Sequence, residues 1–143
     1  MSSHRAPLTL PADGLWARLS IVEEADSTLD LQYYHWNQDT VGYLLLDALL
    51  SAADRGVEVR LLVDDPRGRK RTRTAAALCR HPDMEVRLFN PWTSRSSIVA
   101  QAVQFVREFS RLDRRMHNKL LVADGEKALV GGRNIADAHY GLS

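Results

Sequence analysis

Cysteine is almost absent from this sequence, since Cys79 is the single one among 143 residues. An internal disulfide framework is therefore excluded, and the usage fits a protein kept in a reducing compartment. Cys79 stands beside alanines and a leucine in the stretch TAAALCRH. That neighbourhood predicts a small buried side chain rather than a nucleophile.

Long hydrophobic runs are missing as well. No apolar stretch approaches the roughly 20 residues that a transmembrane helix needs. The first residues, MSSHRAPLTLPAD, lack the continuous apolar segment of a secretory signal peptide. The sequence therefore predicts a chain that does not cross a bilayer, and it leaves open that the chain lies on one.

Metal-ligand patterns are the third absence. Zinc sites usually place two ligands a few residues apart in the sequence. The histidines outside the motif described below have no such neighbouring ligand; they are His4, His35, His81 and His139. Each is expected to lie at the surface or to be held by hydrogen bonds. We therefore expect no metal and no other cofactor.

The net charge is only +1, but basic residues are scarce in one part of the chain and dense in another. Residues 12–47 carry seven acidic side chains and one basic, whereas residues 67–73 (RGRKRTR) carry five basic ones and residues 107–119 carry five against two acidic. Such clustering indicates an anionic partner such as a phosphate group. For residues 67–73 alone, a solvated basic loop is the simpler interpretation.

Apolar periodicity predicts one α/β domain, residues 12–143, behind a polar tail of residues 1–11. Alternation indicates strands over residues 27–34, 57–65 and 84–91, and helical spacing indicates helices over 13–25, 39–56, 72–82 and 96–112. Strand, helix and strand in this order form a parallel βαβ unit. Ligands bind beyond the carboxyl ends of such strands, so the candidate walls of a site are Tyr34, His35, Trp36 and Asp65.

The chemistry lies in residues 116–134, MHNKLLVADGEKALVGGRN. Two apolar runs flank Asp124-Gly125, which is a favoured hairpin turn pair. His117 and Lys119 are two residues apart on the first strand, so their side chains leave the same face. The second strand of an antiparallel hairpin ends beside the start of the first, so Asn134 can converge with His117 and Lys119.

This set suits a phosphodiester. A neutral imidazole of His117 can attack phosphorus and form a phosphohistidine, while Lys119 and Asn134 hold the non-bridging oxygens, and no metal is required. Gly131 and Gly132 lack Cβ, which lets a ligand approach the backbone. An alternative interpretation stays open for the two glycines, which could simply end a strand. The aspartate of the turn, Asp124, could likewise have a wholly structural role.

The pattern H-x-K-x₄-D-x₆-G-G-x-N resembles the signature of the phospholipase D superfamily. It is met at His117, Lys119, Asp124, Gly131, Gly132 and Asn134. Stretches outside it, such as LDLQYYHW and GGRNIADAHY, resemble the N-terminal half of bacterial cardiolipin synthase-like enzymes. The resemblance covers roughly residues 14–141.

The resemblance implies a mixed, largely parallel β-sheet sandwiched between helices. It implies a catalytic set of His117, Lys119 and Asp124, with His117 as the nucleophile or its partner acid and Asp124 orienting the motif. Lys119, Gly132 and Asn134 would bind the substrate phosphate. The implied reaction transfers a phosphatidyl group to a second lipid's hydroxyl or to water, at the cytoplasmic, inner face of a membrane.

Two departures from the superfamily pattern stand out. Many members carry serine or threonine where Gly132 stands. The superfamily also uses two histidines from paired motifs, one as nucleophile and one as acid, whereas this chain has one motif. The second half is therefore expected from the same parent chain, or from a second copy paired about a twofold axis.

Three functions stay open from the sequence. The leading one is a phosphatidyltransferase or phospholipase whose basic segments meet anionic lipid. The second is a phosphodiesterase on nucleic acid, working as a homodimer; the absence of interleaved basic and aromatic residues makes it the weaker one. The third is a non-catalytic phosphate-binding half.

Overall fold

The computed structural model describes residues 5–64, 69–91, 97, 99, 103–104, 107 and 115–142, without the side chains of residues 69–72. The helices are α1 (Pro11–Glu24), α2 (Thr40–Asp54) and α3 (Arg69–Leu78), and a 3₁₀ turn covers Asp137–His139. The strands are β1 (Thr28–Tyr33), β2 (Glu58–Asp64), β3 (Met84–Phe89), β4 (Lys119–Ala123) and β5 (Lys127–Val130).

The strands form one sheet in the order β3-β2-β1-β4-β5. β1, β2 and β3 pair in parallel, while β4 is antiparallel to both β1 and β5. Only β4 among these described strands therefore runs against the others. The predicted mixed, largely parallel α/β fold is confirmed, and so is the βαβ unit of β1, α2 and β2.

One face of the sheet packs against helices because the strands alternate. On β1, Leu29, Leu31 and Tyr33 are fully or almost fully buried, and apolar residues of α1 and α2 such as Val22 and Leu45 belong to the same cluster. Full burial of each such side chain contributes about 1.5–3 kcal/mol. This cluster is the core on which the site edge rests.

The other face carries polar side chains. Asp30 and Arg60 form an ion pair there at 2.7 Å, and Arg87 pairs with Glu85. The helix predicted over residues 96–112, which would supply a second helical layer, lies largely outside the described residues. So do the first residues of the basic run 67–73; α3 begins within this run, at Arg69.

The start of α2 is held by close contacts as well as by its cap. The carboxylate of Asp39, the N-cap residue, accepts a hydrogen bond from the backbone N–H of Gly42 at 3.0 Å. A Cβ at Gly42 would lie 1.8 Å from the carbonyl oxygen of Asn37. Glycine is therefore required where the loop after β1 crosses the first turn of α2.

The predicted burial of Cys79 is wrong. The side chain is exposed. Cys79 follows the last residue of α3, at the edge of the sheet where β3 is the outer strand. There the backbone N–H of Val86 approaches its Sγ at 3.3 Å. Within the described part of the chain, no helix combines the length and the apolar character that crossing a bilayer requires.

Candidate active site at the carboxyl edge of the sheet

The pairing of β1 with β4 creates the candidate site. Tyr33 at the end of β1 faces Lys119 at the start of β4, and the N–H of Tyr34 donates to the carbonyl of Asn118 at 3.1 Å. The N–H of Gly131 donates to the carbonyl of Lys119 at 3.2 Å, which brings the end of β5 to the same place. The carboxyl edge of β1 therefore gathers the two ends of the motif.

His117 and Lys119 differ in their surroundings. His117 is exposed, whereas Lys119 is only 4% exposed and its Nζ donates to the carbonyl oxygen of His117 at 2.8 Å. Burial lowers the pKa of Lys119. Lys119 forms no ion pair with any described carboxylate, so its ammonium is a positive charge without a balancing anion beside His117.

Asn134 is buried at the same edge. Its Oδ1 accepts a hydrogen bond from the N–H of His35 at 3.1 Å, which leaves its NH₂ group as the donor end. The following residue, Ile135, donates to the carbonyl of His35 at 3.1 Å and accepts from the N–H of Asn37 at 2.8 Å. The loop after β1 therefore fixes Asn134 at the edge that also holds Lys119.

Tyr34 connects the residues of this edge. Its ring lies 5.1 Å from the ring of His117 and 4.3 Å from that of His35, and the Nζ of Lys119 lies 5.4 Å from its centroid. A cation at that distance from a tyrosine ring is attracted by its π-electrons. The structure thus brings the predicted wall residue Tyr34 to His117, and it places a second one, His35, on Tyr34.

The prediction that Trp36 is a wall of the site is wrong. Its ring is buried and packs edge-on against Tyr33 at 5.7 Å, and its Nε1 donates to the carbonyl of Gly42 at 3.2 Å. The side chain is therefore a core anchor between β1 and α2. Asp65, the fourth predicted wall residue, lies outside the described residues.

Asp64 is the last residue of β2 and lies at this edge, within the strand end DDPRGR that the sequence also offers as a candidate wall. Its fully buried carboxylate accepts from the N–H of Met116 at 2.8 Å and pairs with Nη1 of Arg115 at 2.9 Å. These contacts hold the segment that enters His117 against the end of β2.

Asp124 lies at the opposite end of β4 from Lys119, so the structure does not bring it to His117. Its carboxylate accepts from the backbone N–H groups of Asp26, Ser27 and Thr28 at 3.0, 2.7 and 2.9 Å. These hydrogen bonds, foremost that from Thr28, lower its pKa. Its contacts are those of a structural residue, which is the role that the sequence left open for it, and none of them reaches the rest of the predicted catalytic set.

Gly131 and Gly132 border open space. A Cβ built on either of them would meet nothing within 4 Å. The described residues contain no group of three or more His, Cys, Asp or Glu side chains that could hold a metal. A histidine, an unbalanced ammonium and an amide beside open space can bind a phosphoryl group and attack it without a metal ligand set.

Comparison with known proteins agrees with this geometry. The family described as "Cardiolipin synthase, PLD-like domain" matches residues 19–142. Cardiolipin synthase C of Escherichia coli (strain K12) is 48% identical over 135 residues, which cover 94% of this chain and 28% of that protein. The chain thus spans about a quarter of the length of this relative.

Two solved structures share the fold. NucT from Helicobacter pylori superposes with a TM-score of 0.65 at 16% identity, over 91% of this chain and 72% of the other. The phospholipase D family member Nuc from Salmonella typhimurium gives a TM-score of 0.58 at 17% identity, over 90% and 68%. The fold, the motif and the family match together confirm that the chain belongs to the phospholipase D superfamily, in the family of cardiolipin synthase phospholipase D-like domains.

Proposed function

We propose that this chain supplies one catalytic half of a phosphatidyltransferase or phospholipase that works through a phosphohistidine. The observation that carries the proposal is the buried ammonium of Lys119, which has no described carboxylate partner and is bonded to the backbone of the exposed His117. A phosphodiester anion would balance that charge and present its phosphorus to the imidazole. The relationship to Cardiolipin synthase C supports a phospholipid as the substrate.

The proposed reaction has two displacements at phosphorus. First, an imidazole nitrogen of His117 bonds to phosphorus while the bond to the leaving alcohol oxygen breaks, and an acid gives that oxygen its proton. Then an acceptor hydroxyl, from a second lipid or from water, attacks phosphorus, the same group takes its proton, and the nitrogen–phosphorus bond breaks. Lys119 and the NH₂ group of Asn134 would stabilise the charge on the non-bridging oxygens throughout.

The acid of the first step is proposed to come from a second half. Attack and departure occur on opposite sides of phosphorus, so one imidazole cannot serve both. The partner histidine would belong to a second motif in the same parent chain, or to a second copy of this chain. In either case the surface around His117 would face that partner.

We also propose a peripheral position at the cytoplasmic face of a membrane. Tyr43 and Leu44 on the first turns of α2 are 56% and 45% exposed, and they line a groove that reaches Leu78 of α3. The backbone N–H of Val41 donates to the carboxylate of Asp137 at 2.7 Å, which ties this end of α2 to the segment after Asn134. An apolar surface attached to the site edge, beside a helix that begins in the basic run, suits an anionic lipid surface.

The test uses the complete assembly with vesicles that contain ³²P-labelled phosphatidylglycerol. His117→Ala is expected to reduce lipid turnover by about 100-fold or more and to remove alkali-stable, acid-labile label from the protein. His139→Ala is the matched control, because His139 is exposed in the 3₁₀ turn. This variant should keep both the lipid turnover and the label on the protein. Turnover of His117→Ala close to that of the parent protein would overturn the assignment.

A second substrate separates the alternatives. Single-stranded DNA offers the same phosphodiester group, so cleavage of DNA that depends on His117 and exceeds lipid turnover would favour the nucleic-acid phosphodiesterase. Light scattering on the same samples distinguishes a pair of chains from a single one. A monomer that binds phosphate and turns over neither substrate would favour the non-catalytic half.

A further inference from the structure

A cavity of about 870 Å³ lies between the tail before α1, helix α1 and strand β5. Three arginines line it: Arg5 from the tail, Arg18 from α1 and Arg133 from the segment after β5. Its wall also includes Gly131 and Gly132. The cavity therefore borders the motif, although none of the residues His117, Lys119 and Asn134 lines it.

Arg18 is unusual for a buried residue. It is 2% exposed, and its Nε and Nη1 donate to the hydroxyl of Tyr33 at 3.0 Å and to the carbonyl of Gly14 at 2.6 Å. No ion pair joins it to any described carboxylate, and no described acceptor bonds to its Nη2. Burial of a charged group without an anion is costly, so this guanidinium has capacity for a negatively charged ligand.

A second guanidinium lies close to the first. An ideal Cβ on Gly14 would be 2.7 Å from Nη1 of Arg133 and 3.5 Å from Nη1 of Arg18. The described contacts of Arg133 are hydrogen bonds to the carbonyls of Leu8 and Thr9 at 3.2 and 3.0 Å, with no carboxylate among them. Two like charges therefore lie close together without a described counter-charge.

The phenol of Tyr140 adds an unsatisfied donor to this region. Tyr140 is 5% exposed, its hydroxyl has no hydrogen-bond partner among the described residues, and its ring lies 5.4 Å from the guanidinium carbon of Arg18. Burial raises the pKa of Tyr140 to about 12, and the charges of Arg18 and Arg133 oppose that rise. The hydroxyl therefore keeps its proton at neutral pH, and its ring lies beside Arg18, although Tyr140 itself does not line the cavity.

We infer that the cavity lined by Arg18 and Arg133 is a second anion site, and that it binds a phosphate group. Guanidinium groups suit phosphate oxygens because they offer paired N–H donors. The inference does not depend on whether His117 attacks phosphorus. If the proposed function holds, a phosphate in this position next to Gly132 would belong to the acceptor lipid rather than to the molecule under attack.

The experiment measures phosphate binding by calorimetry in a His117→Ala/Lys119→Ala background, which prevents turnover and removes the ammonium of the first site. Arg133→Gln in that background is expected to raise the Kd for phosphate by roughly tenfold or more. Arg87→Gln is the matched control, since Arg87 is exposed and paired on the far face of the sheet. It should bind phosphate as the background protein does.

Arg18 itself is tested without mutation, because its loss would disturb the core. Its Nε–H cross-peak in a ¹H–¹⁵N spectrum should shift on addition of phosphate, and the shift should vanish with Arg133→Gln. Glycerophosphoglycerol in place of inorganic phosphate distinguishes the source: tighter binding of the diester supports a lipid headgroup, and tighter binding of inorganic phosphate supports a free ion. Unchanged binding by Arg133→Gln, or no binding in the background protein, overturns the inference.

Discussion

The Nζ of Lys119 donates to the backbone carbonyl of His117 at 2.8 Å, so the lysine and the histidine of the motif are joined by a direct contact. The bond orients the ammonium towards the segment that carries the imidazole. Burial lowers the pKa of Lys119, so the fold favours the charged form of this group less than water does. The first prediction concerns this buried ammonium.

Lys119→Met should reduce turnover by about 100- to 1000-fold without loss of stability, because it removes a buried charge that lacks a described partner. Between the lowered pKa of Lys119 and its ordinary value of 10.5, the unfolded chain binds more protons, so this group makes stability rise with pH. Phosphate binding beside His117 needs the ammonium of Lys119 and should fall across the same pH window. Lys127→Met is the control, because Lys127 forms an exposed ion pair with Glu24, and it should keep turnover. Destabilisation by Lys119→Met but not by Lys127→Met would contradict the view that Lys119 is a buried charge without a described partner.

Asp64→Ala should destabilise the fold by about 3 kcal/mol, because it leaves Arg115 without the buried carboxylate. It should also lower kcat more than it raises KM, since the segment entering His117 loses its anchor. Asp54→Ala removes an exposed partner of His81 and should cost less than about 1 kcal/mol. Urea denaturation together with steady-state kinetics measures both effects; equal losses for the two variants would count against the anchoring role.

Asp124→Asn should lower the unfolding midpoint, because a neutral amide presents one acceptor oxygen to three backbone N–H groups. The pKa of Asp124 is lowered in the fold, so its contribution is present above the ordinary value of 3.8 and disappears as pH falls through the lowered value. The difference in midpoint between parent and variant should therefore shrink in acid. Asp47→Asn is the control, because Asp47 lies on the exposed side of α2, and it should leave the unfolding midpoint unchanged. A large loss of rate in Asp124→Asn without a change in midpoint would instead indicate a catalytic role for Asp124.

Gly132→Ser should be tolerated, because the space beside its Cα is open. The added hydroxyl would supply the phosphate contact that many superfamily members have at this position. Gly42→Ala is the opposite case: its Cβ would meet the carbonyl of Asn37 at 1.8 Å, and it should cost about 1–3 kcal/mol or more. Thermal unfolding compares the two, and similar losses would show that the open space is not available.

Tyr43→Ser/Leu44→Ser should weaken partition onto vesicles of anionic lipid by about tenfold, since two exposed apolar groups of α2 would be lost. Turnover of a short-chain soluble phospholipid should stay unchanged. Trp16→Ser is the matched control, because Trp16 is 67% exposed on α1, outside this groove. Vesicle sedimentation decides the matter: equal binding by parent and double variant would remove this surface from the membrane proposal.

The sequence alone was enough to predict the order of the described strands and helices, from α1 to β3 and from β4 to β5. Alternating and helical spacing are local properties, and they were strong in β1, α2 and β2. The same holds for the hairpin: the spacing from His117 to Asn134 placed both ends of the motif at one edge. Cys79 shows the limit of such local patterns, because its apolar neighbours in sequence did not reveal that its own side chain is exposed.

The sequence by itself determined that a histidine, a lysine and an asparagine stand at spacings for which a hairpin is enough to bring them to one edge. Tertiary structure alone decided what the remaining polar groups do. The carboxylate of Asp124 accepts a hydrogen bond from the start of β1, and that of Asp64 forms an ion pair with Arg115. The side chain of Trp36 packs in the core. Arg18 and Arg133 likewise meet only because α1 packs beside β5; contacts so distant along the chain leave no periodic signal, because they depend on how the elements pack.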